Sequence, residues 1–235
     1  MAKVNKETLD RWFDYNVDVE SRTIYMGSED GVDALMAEYM IKGMHILESK
    51  STDIITIIMN NIGGDVFHGM AIYDVIQTSK CHCVIKVYGH AMSMGSIILQ
   101  AADKRIVSPN SRFMIHFGNE SHNGHTKMVD NWVSESKRLA YLMENIYLDV
   151  MLEKEEKMGE GHLAQMLGKI MTQQKLFEHP PLVKPFIYTF SKKLETKREQ
   201  VRVVLKEMLN FDTILTAEET VALGFADEIY TNRIQ

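Results

Sequence analysis

The apolar positions of this chain change period several times along its length. Residues 31–50, GVDALMAEYMIKGMHILESK, set Leu35, Met36, Tyr39, Met40, Met44 and Leu47 at helical spacing. DIITIIM at 53–59 is a β-branched run of the length a buried strand needs. NNIGGD at 60–65 is a turn signal, and VFHGMAIYDVIQTS at 66–79 returns to helical spacing. HCVIKVYG at 82–89 reads as a second buried strand and runs on toward the apolar stretch IILQAA. Strand, helix, strand and helix therefore alternate over 53–102, which predicts an α/β domain with crossover connections. Shorter strands are expected at RTIYMG (22–27), RIVSP (105–109) and RFMIHF (112–117).

The pattern changes after His116. FGNESHNGHT is a polar loop, and 127–158 is one long helical pattern with dense charge outside and Trp132, Leu139, Leu142, Ile146 and Val150 expected inside. GHLAQMLGKI is helical, but Pro180, Pro181 and Pro185 forbid a continuous helix through EHPPLVKPF. SKKLETKREQVRVVLKEML is helical again. In FDTILTAEETVALGFADEI a turn leads to a helix capped by Thr216 with Glu219 three residues on, ended by Gly224 and followed by a last short strand. The expected organisation is an α/β head from 1–126 and 201–235 together, with 127–200 holding the long helix and an inserted, proline-interrupted helical segment.

Composition narrows the classes. With 235 residues, 45% of them hydrophobic and 25% charged, the chain can bury a sizeable core. The net charge of −6 and the interleaving of basic with acidic residues argue against nucleic acid or an anionic membrane as partner. No apolar run reaches transmembrane length and the start, MAKVNKETLDRWF, lacks a signal-peptide core, so a cytoplasmic protein is expected. Cys81 and Cys83 flank His82 and read as reduced, buried thiols; no further cysteine exists to complete a thiolate metal site.

GHAMSMGS at 89–96 places one serine, Ser93, where a strand turns into a helix. Close packing of small residues would explain the segment. So would a nucleophile on a tight turn, with the Met94 N–H at the helix start helping to hold an oxyanion. The G-x-S-x-G pattern is not met, because Ala91 takes the first glycine position. A serine nucleophile needs a base, and His116 ends a strand just before the polar loop, both fixed and exposed. His122 and His125 lie in that loop with a single acid, Glu120, so no metal site is expected. Asp212, ahead of the capped helix, is a candidate to orient the histidine and equally a plain turn residue. Gly63 and Gly64 match neither G-x-G-x-x-G nor a phosphate loop, but adjacent glycines can expose successive amides to an oxyanion and to an extended peptide. No cofactor is called for.

Taken in order, these segments resemble ClpP, the proteolytic subunit of the Clp protease. NNIGGDVFHGMAIYDVIQ is similar to N-S-P-G-G-x-x-x-x-G-M-x-I-Y-D, GHAMSMGS to G-x-A-x-S-M-G, PNSRFMIH to P-N-S-R-x-M-I-H, and FDTILTAEETVALGFADEI to the family's acid-containing region. The resemblance covers about 22–158 and 200–234. It implies a ClpP/crotonase-like superhelix of strand-strand-helix units with a long projecting handle helix, and a serine endopeptidase acting through an acyl-enzyme. Ser93 takes the nucleophile's place, His116 the base's, Asp212 the acid's, and Gly64 with Met94 the oxyanion amides'. Gly63, Gly64, Met92 and Phe117 would meet substrate. The implied partners are copies of the chain in a heptameric ring or double ring, a peptide or unfolded protein as substrate, and an AAA+ unfoldase. Departures are clear. Ile62 stands for the family's proline, Met92 for a small residue, and Thr56 and Ile58 for aromatic residues at the unfoldase docking site. The span from His116 to Asp212 is longer than the family's, and the N-terminal segment does not match clearly. Two other readings share the pattern: an inactive structural or adaptor ring, and a crotonase-type acyl-CoA enzyme using the same amides without the serine.

Overall fold

The computed structural model describes residues 16–27, 31–118, 121, 123–173 and 194–231. The proline-rich stretch at 180–185, and Glu120 and His122 of the polar loop, lie outside them. The described elements are β1 (Val17–Asp18), β2 (Thr23–Met26), α1 (Ala34–Lys50), β3 (Ile55–Asn61), α2 (Val66–Gln77), β4 (Cys83–Met92), α3 (Met94–Leu99), β5 (Lys104–Val107) and β6 (Arg112–Ile115). They continue with α4 (Thr126–Met158), α5 (His162–Gln173), α6 (Leu194–Asn210), β7 (Thr213–Leu215), α7 (Ala217–Ala222) and β8 (Glu228–Ile229). The chain divides into two compact units. The first runs to Met114 and takes in Leu215–Val221 and the described residues from Ala226 on; the second holds Ile115–Ile214 and Ala222–Phe225.

The first unit is built on a mixed sheet in the order β1-β2-β3-β4-β5-β8. Along this path the β1–β2 pair is antiparallel and the other pairs are parallel, as crossover connections require. β3 alternates buried Ile55, Ile57, Met59 and Asn61 with half-buried neighbours. β4 is the longest of the described strands and pairs with β5 through Val84–Val87 and with β6 through His90–Met92. On α1 the buried stripe is Met36, Ala37, Met40, Gly43, Met44 and Leu47, whereas Leu35, expected in it, is exposed.

Polar groups fix the element ends. Asp33 and Asp65 cap α1 and α2 by accepting from the Met36 and His68 N–H groups (2.8 and 2.9 Å). Arg22 donates to the carbonyls of Leu47, Ser51, Asp53 and Ile54, so one guanidinium closes the end of α1 and the turn into β3. The capping box expected before α7 is formed: Glu219 accepts from the Thr216 N–H (2.9 Å) and Thr216 Oγ1 from the Glu219 N–H (3.3 Å).

In the second unit α4 spans 126–158, one residue longer than the sequence pattern suggests. Its buried face differs from the expected one. Leu139 is buried, but Trp132 and Leu142 are exposed and Ile146 and Val150 half-buried; the buried positions continue through Glu144, Tyr147, Leu148, Met151 and Glu155. Two carboxylates on a buried face defeat a search for apolar spacing. They are tolerated because α6 brings the cations: Arg202 bonds Glu144 and lies 5.2 Å over the Tyr141 ring, and Lys197 pairs with Glu155 (3.2 Å).

Glu155 also accepts from the Gly161 and Leu163 N–H groups (2.7 and 2.6 Å) at the start of α5. Burial alone would push its pKa up, but those two N–H groups and Lys197 outweigh it and hold the carboxyl below the usual range. The stabilisation is therefore complete above the unfolded value of about 4.5 and is lost as pH falls through the lower folded value. Glu155→Gln should cost about 1.5–3 kcal/mol at pH 7, because it removes charge-assisted bonds and turns an amide donor toward an N–H. Urea titrations should show the gap between wild type and variant closing as pH falls below the unfolded value of about 4.5 and through the lower folded value.

Candidate active site

The register of β3 against β4 decides where Ser93 arrives. Met59 pairs with Val87, but the next pair is Asn61 with Ala91, so Tyr88, Gly89 and His90 of β4 face the single residue Asn60. Asn60 fills this bulge: its Oδ1 accepts from the His90 N–H (3.1 Å). β4 then pairs with β6 up to Met92, opposite Met114, and the Ser93 N–H donates to the Met114 carbonyl (2.9 Å).

Ser93 has φ 51° and ψ −123°, a conformation L-residues rarely adopt, costing on the order of 1–3 kcal/mol. Its carbonyl accepts from Ser96 N–H and Oγ (3.0 and 2.5 Å), which starts α3. The serine is thus held on a sharp strand-to-helix turn at the carboxyl end of a parallel strand, where open α/β sheets present ligand sites.

Gly63 lies against this turn. A Cβ on Gly63, whose φ is +99°, would fall 2.5 Å from the Ser93 Cβ and 2.9 Å from the Met94 nitrogen, so no larger residue fits. The Gly63 carbonyl accepts from the Val32 N–H (2.8 Å), and the Asp65 N–H donates to the Val32 carbonyl (2.7 Å). In a trans peptide the N–H points opposite to the carbonyl, so the Gly64 N–H is turned away from Val32. Met94 is the first residue of α3 and has no helix carbonyl one turn behind it to receive its N–H. Gly63, Gly64, Ser93 and Met94, named from separate parts of the sequence, are therefore gathered in the first unit. Met92, half-buried, ends β4 beside them.

In the second unit His116 meets Asp212, 96 residues away: Nδ1 lies 3.0 Å from the carboxylate Oδ1. A carboxylate can only accept, so the proton of this bond sits on Nδ1. The histidine side chain is 22% exposed and the aspartate 75%. Backbone and side-chain bonds brace both. The N–H of Phe117, whose side chain is exposed, donates to the Leu209 carbonyl (2.9 Å), and Thr213, just after Asp212, bonds back to Phe211 and Met208 ahead of it (2.7 Å each). The TIL segment after Asp212, read from the sequence as part of a turn, is the strand β7.

Asn60 and Asn61 were not singled out from the sequence. The doubled asparagine before the two glycines is the available signal; it reads as part of a turn, whereas both residues belong to β3. Cys81 and Cys83 are free and buried. Burial pushes the Cys83 thiol up to about 11, and its sulfur lies 3.5 Å from the Cys81 carbonyl as donor.

The first unit thus carries a strained serine against a glycine pair, and the second pairs a histidine with an aspartate. The sequence model of the Clp protease family matches residues 6–165, about two thirds of the chain, so the chain belongs to the Clp protease family. The match starts ahead of residue 22 and ends before Asp212. The ATP-dependent Clp protease proteolytic subunit of Deinococcus radiodurans is 34% identical over 132 residues, 55% of this chain and 64% of that protein. Subunit 2 of Pseudomonas aeruginosa is 31% identical over 131 residues (55% and 65%), and subunit 3 of Synechococcus sp. CC9605 is 39% identical over 115 residues (46% and 55%). The chain thus spans less than two thirds of the length of these relatives.

Proposed function

We propose that this protein is a serine peptidase that cleaves peptides or unfolded proteins through an acyl-enzyme. The observation that carries this reading is the His116–Asp212 bond, because it joins the expected base to an acid outside the segment matched to the family. The strained turn at Ser93 and the family membership support the nucleophile.

In this mechanism Ser93 Oγ attacks the scissile carbonyl while its proton passes to His116 Nε2. The carbonyl oxygen becomes an oxyanion and takes the N–H groups of Gly64 and Met94. Collapse breaks the C–N bond, and the leaving amine takes the proton from the imidazolium. Water then attacks the acyl ester, giving its proton to Nε2, and Ser93 recovers one as the acid leaves. Asp212 keeps Nδ1–H bonded throughout. The extended substrate would pair with the backbone at Gly63 and Gly64 and lie near Met92 and Phe117. A self-compartmentalised ring, with an ATPase partner for folded substrates, completes the proposal. The exposed Met128, Trp132, Val133 and Leu142 on α4 support burial of that helix on assembly. Among the described residues no helix is long and apolar enough to cross a membrane.

Hydrolysis of short fluorogenic peptides and of an acyl-CoA thioester by the same preparation tests the reading. Peptide turnover without thioester turnover is the expected result; thioester turnover alone would overturn it.

A further inference from the structure

We propose that Asn61 is a positioning residue for the oxyanion site, holding the Gly63–Gly64 peptide in the one orientation that presents the Gly64 N–H. The proposal rests on the peptidase reading above and names a residue that reading does not use.

Asn61 ends β3 and is fully buried. Both ends of its carboxamide are engaged. Oδ1 accepts from the Gly63 N–H (2.8 Å) and Nδ2 donates to the Gly27 carbonyl (2.7 Å), with the Met36 sulfur 3.6 Å away. The amide cannot turn over, since that would set Nδ2 against an N–H and Oδ1 against a carbonyl.

Gly63 must be glycine because Ser93 and Met94 leave no room for a Cβ. Glycine is also the residue least able to keep its own conformation. Ile62 before it lacks the fixed φ that a proline would have. Two external bonds supply what the local chain lacks. The peptide plane ahead of Gly63 is held through its N–H by Asn61, and the plane after it through its carbonyl by Val32. The Gly64 N–H belongs to that second plane. Without Asn61 the first plane is released, rotation about Gly63 reorients the second, and the oxyanion loses a donor. The tether to Gly27 matters as well, because it ties the asparagine to the segment after β2 rather than to its own strand.

A donor that acts on the oxyanion stabilises the transition state more than the ground state, so its misplacement lowers kcat and leaves KM nearly unchanged. Removing such a donor outright typically costs 10²–10³-fold in kcat, and displacing it should cost roughly 10–100-fold. Asn61→Ala removes both bonds. Asn61→Ser keeps a hydroxyl that can accept, more weakly, from the N–H two residues on, but it has no group to donate to Gly27.

The test measures kcat and KM on a short fluorogenic peptide, and the affinity for a peptide boronic acid, whose tetrahedral adduct puts an oxygen at the oxyanion position. Asn61→Ala should lose kcat and boronate affinity together with KM within about threefold, and Asn61→Ser should fall between it and wild type. Wild-type kcat in folded Asn61→Ala, or a loss confined to KM, overturns the proposal. Should Asn61→Ala not fold, Asn61→Ser carries the test, and wild-type kcat and boronate affinity in it overturn the proposal. If wild type neither hydrolyses the peptide nor binds the boronate, the peptidase reading fails and this role falls with it, a different result from an active wild type with an indifferent variant.

Discussion

Ser93→Ala will reduce peptide hydrolysis by on the order of 10⁴-fold or more in kcat while leaving the fold intact. The size of the loss follows from the role proposed for the residue. Without Oγ there is no acyl-enzyme, and only substrate binding and the two amide donors remain to accelerate direct attack by water. The fold should persist because the bonds that shape the turn are made by the backbone of Ser93, its N–H to Met114 and its carbonyl from Ser96, and alanine retains them. Alanine at φ 51° is strained to much the same degree as serine, so thermal melting should move by only a few degrees. A variant that melts normally and retains more than a hundredth of the wild-type kcat would exclude Ser93 as nucleophile.

The second large effect is expected at Asp212. Asp212→Asn should lower kcat by roughly 10²–10⁴-fold with little change in KM. An asparagine can present its NH₂ to His116 Nδ1, which favours the tautomer with the proton on Nε2, where the base must be free of it. The lower end of the range reflects exposure: the Asp212 side chain is 75% accessible, so water screens part of the interaction and can partly replace it. Comparing Asp212→Asn with Asp212→Ala separates the two contributions. The alanine variant should be the more active of the pair, because it removes the orienting carboxylate without imposing the wrong tautomer. Equal activity of both with wild type would leave the 3.0 Å bond structural and remove Asp212 from the mechanism.

These effects fall on residues that the sequence marks to different degrees, and the reasons are physical. Strands and helices of the first unit were readable because each buries one face at its own period. DIITIIM and CVIKVY announce β3 and β4, and Met36, Met40, Met44 and Leu47 announce α1. Ser93 and the glycine pair were readable because small residues interrupt apolar runs there. Asp212 was not distinguishable from an ordinary turn aspartate by its neighbours alone; only tertiary structure, which returns the chain after α6, brings it to His116. The buried face of α4 is not legible from apolar spacing because its inward positions include Glu144 and Glu155, whose compensating Arg202 and Lys197 lie on another helix. The Asn60 and Asn61 contacts were hidden by a bulge, a feature of register between two strands that no single segment encodes.

The most direct measurement is to treat the purified protein with a fluorophosphonate and locate the adduct by mass spectrometry of its peptides. One modified residue is expected, Ser93, with labelling that falls sharply in His116→Ala. An adduct on another serine, or a protein that hydrolyses peptides while Ser93 stays unmodified, would contradict it.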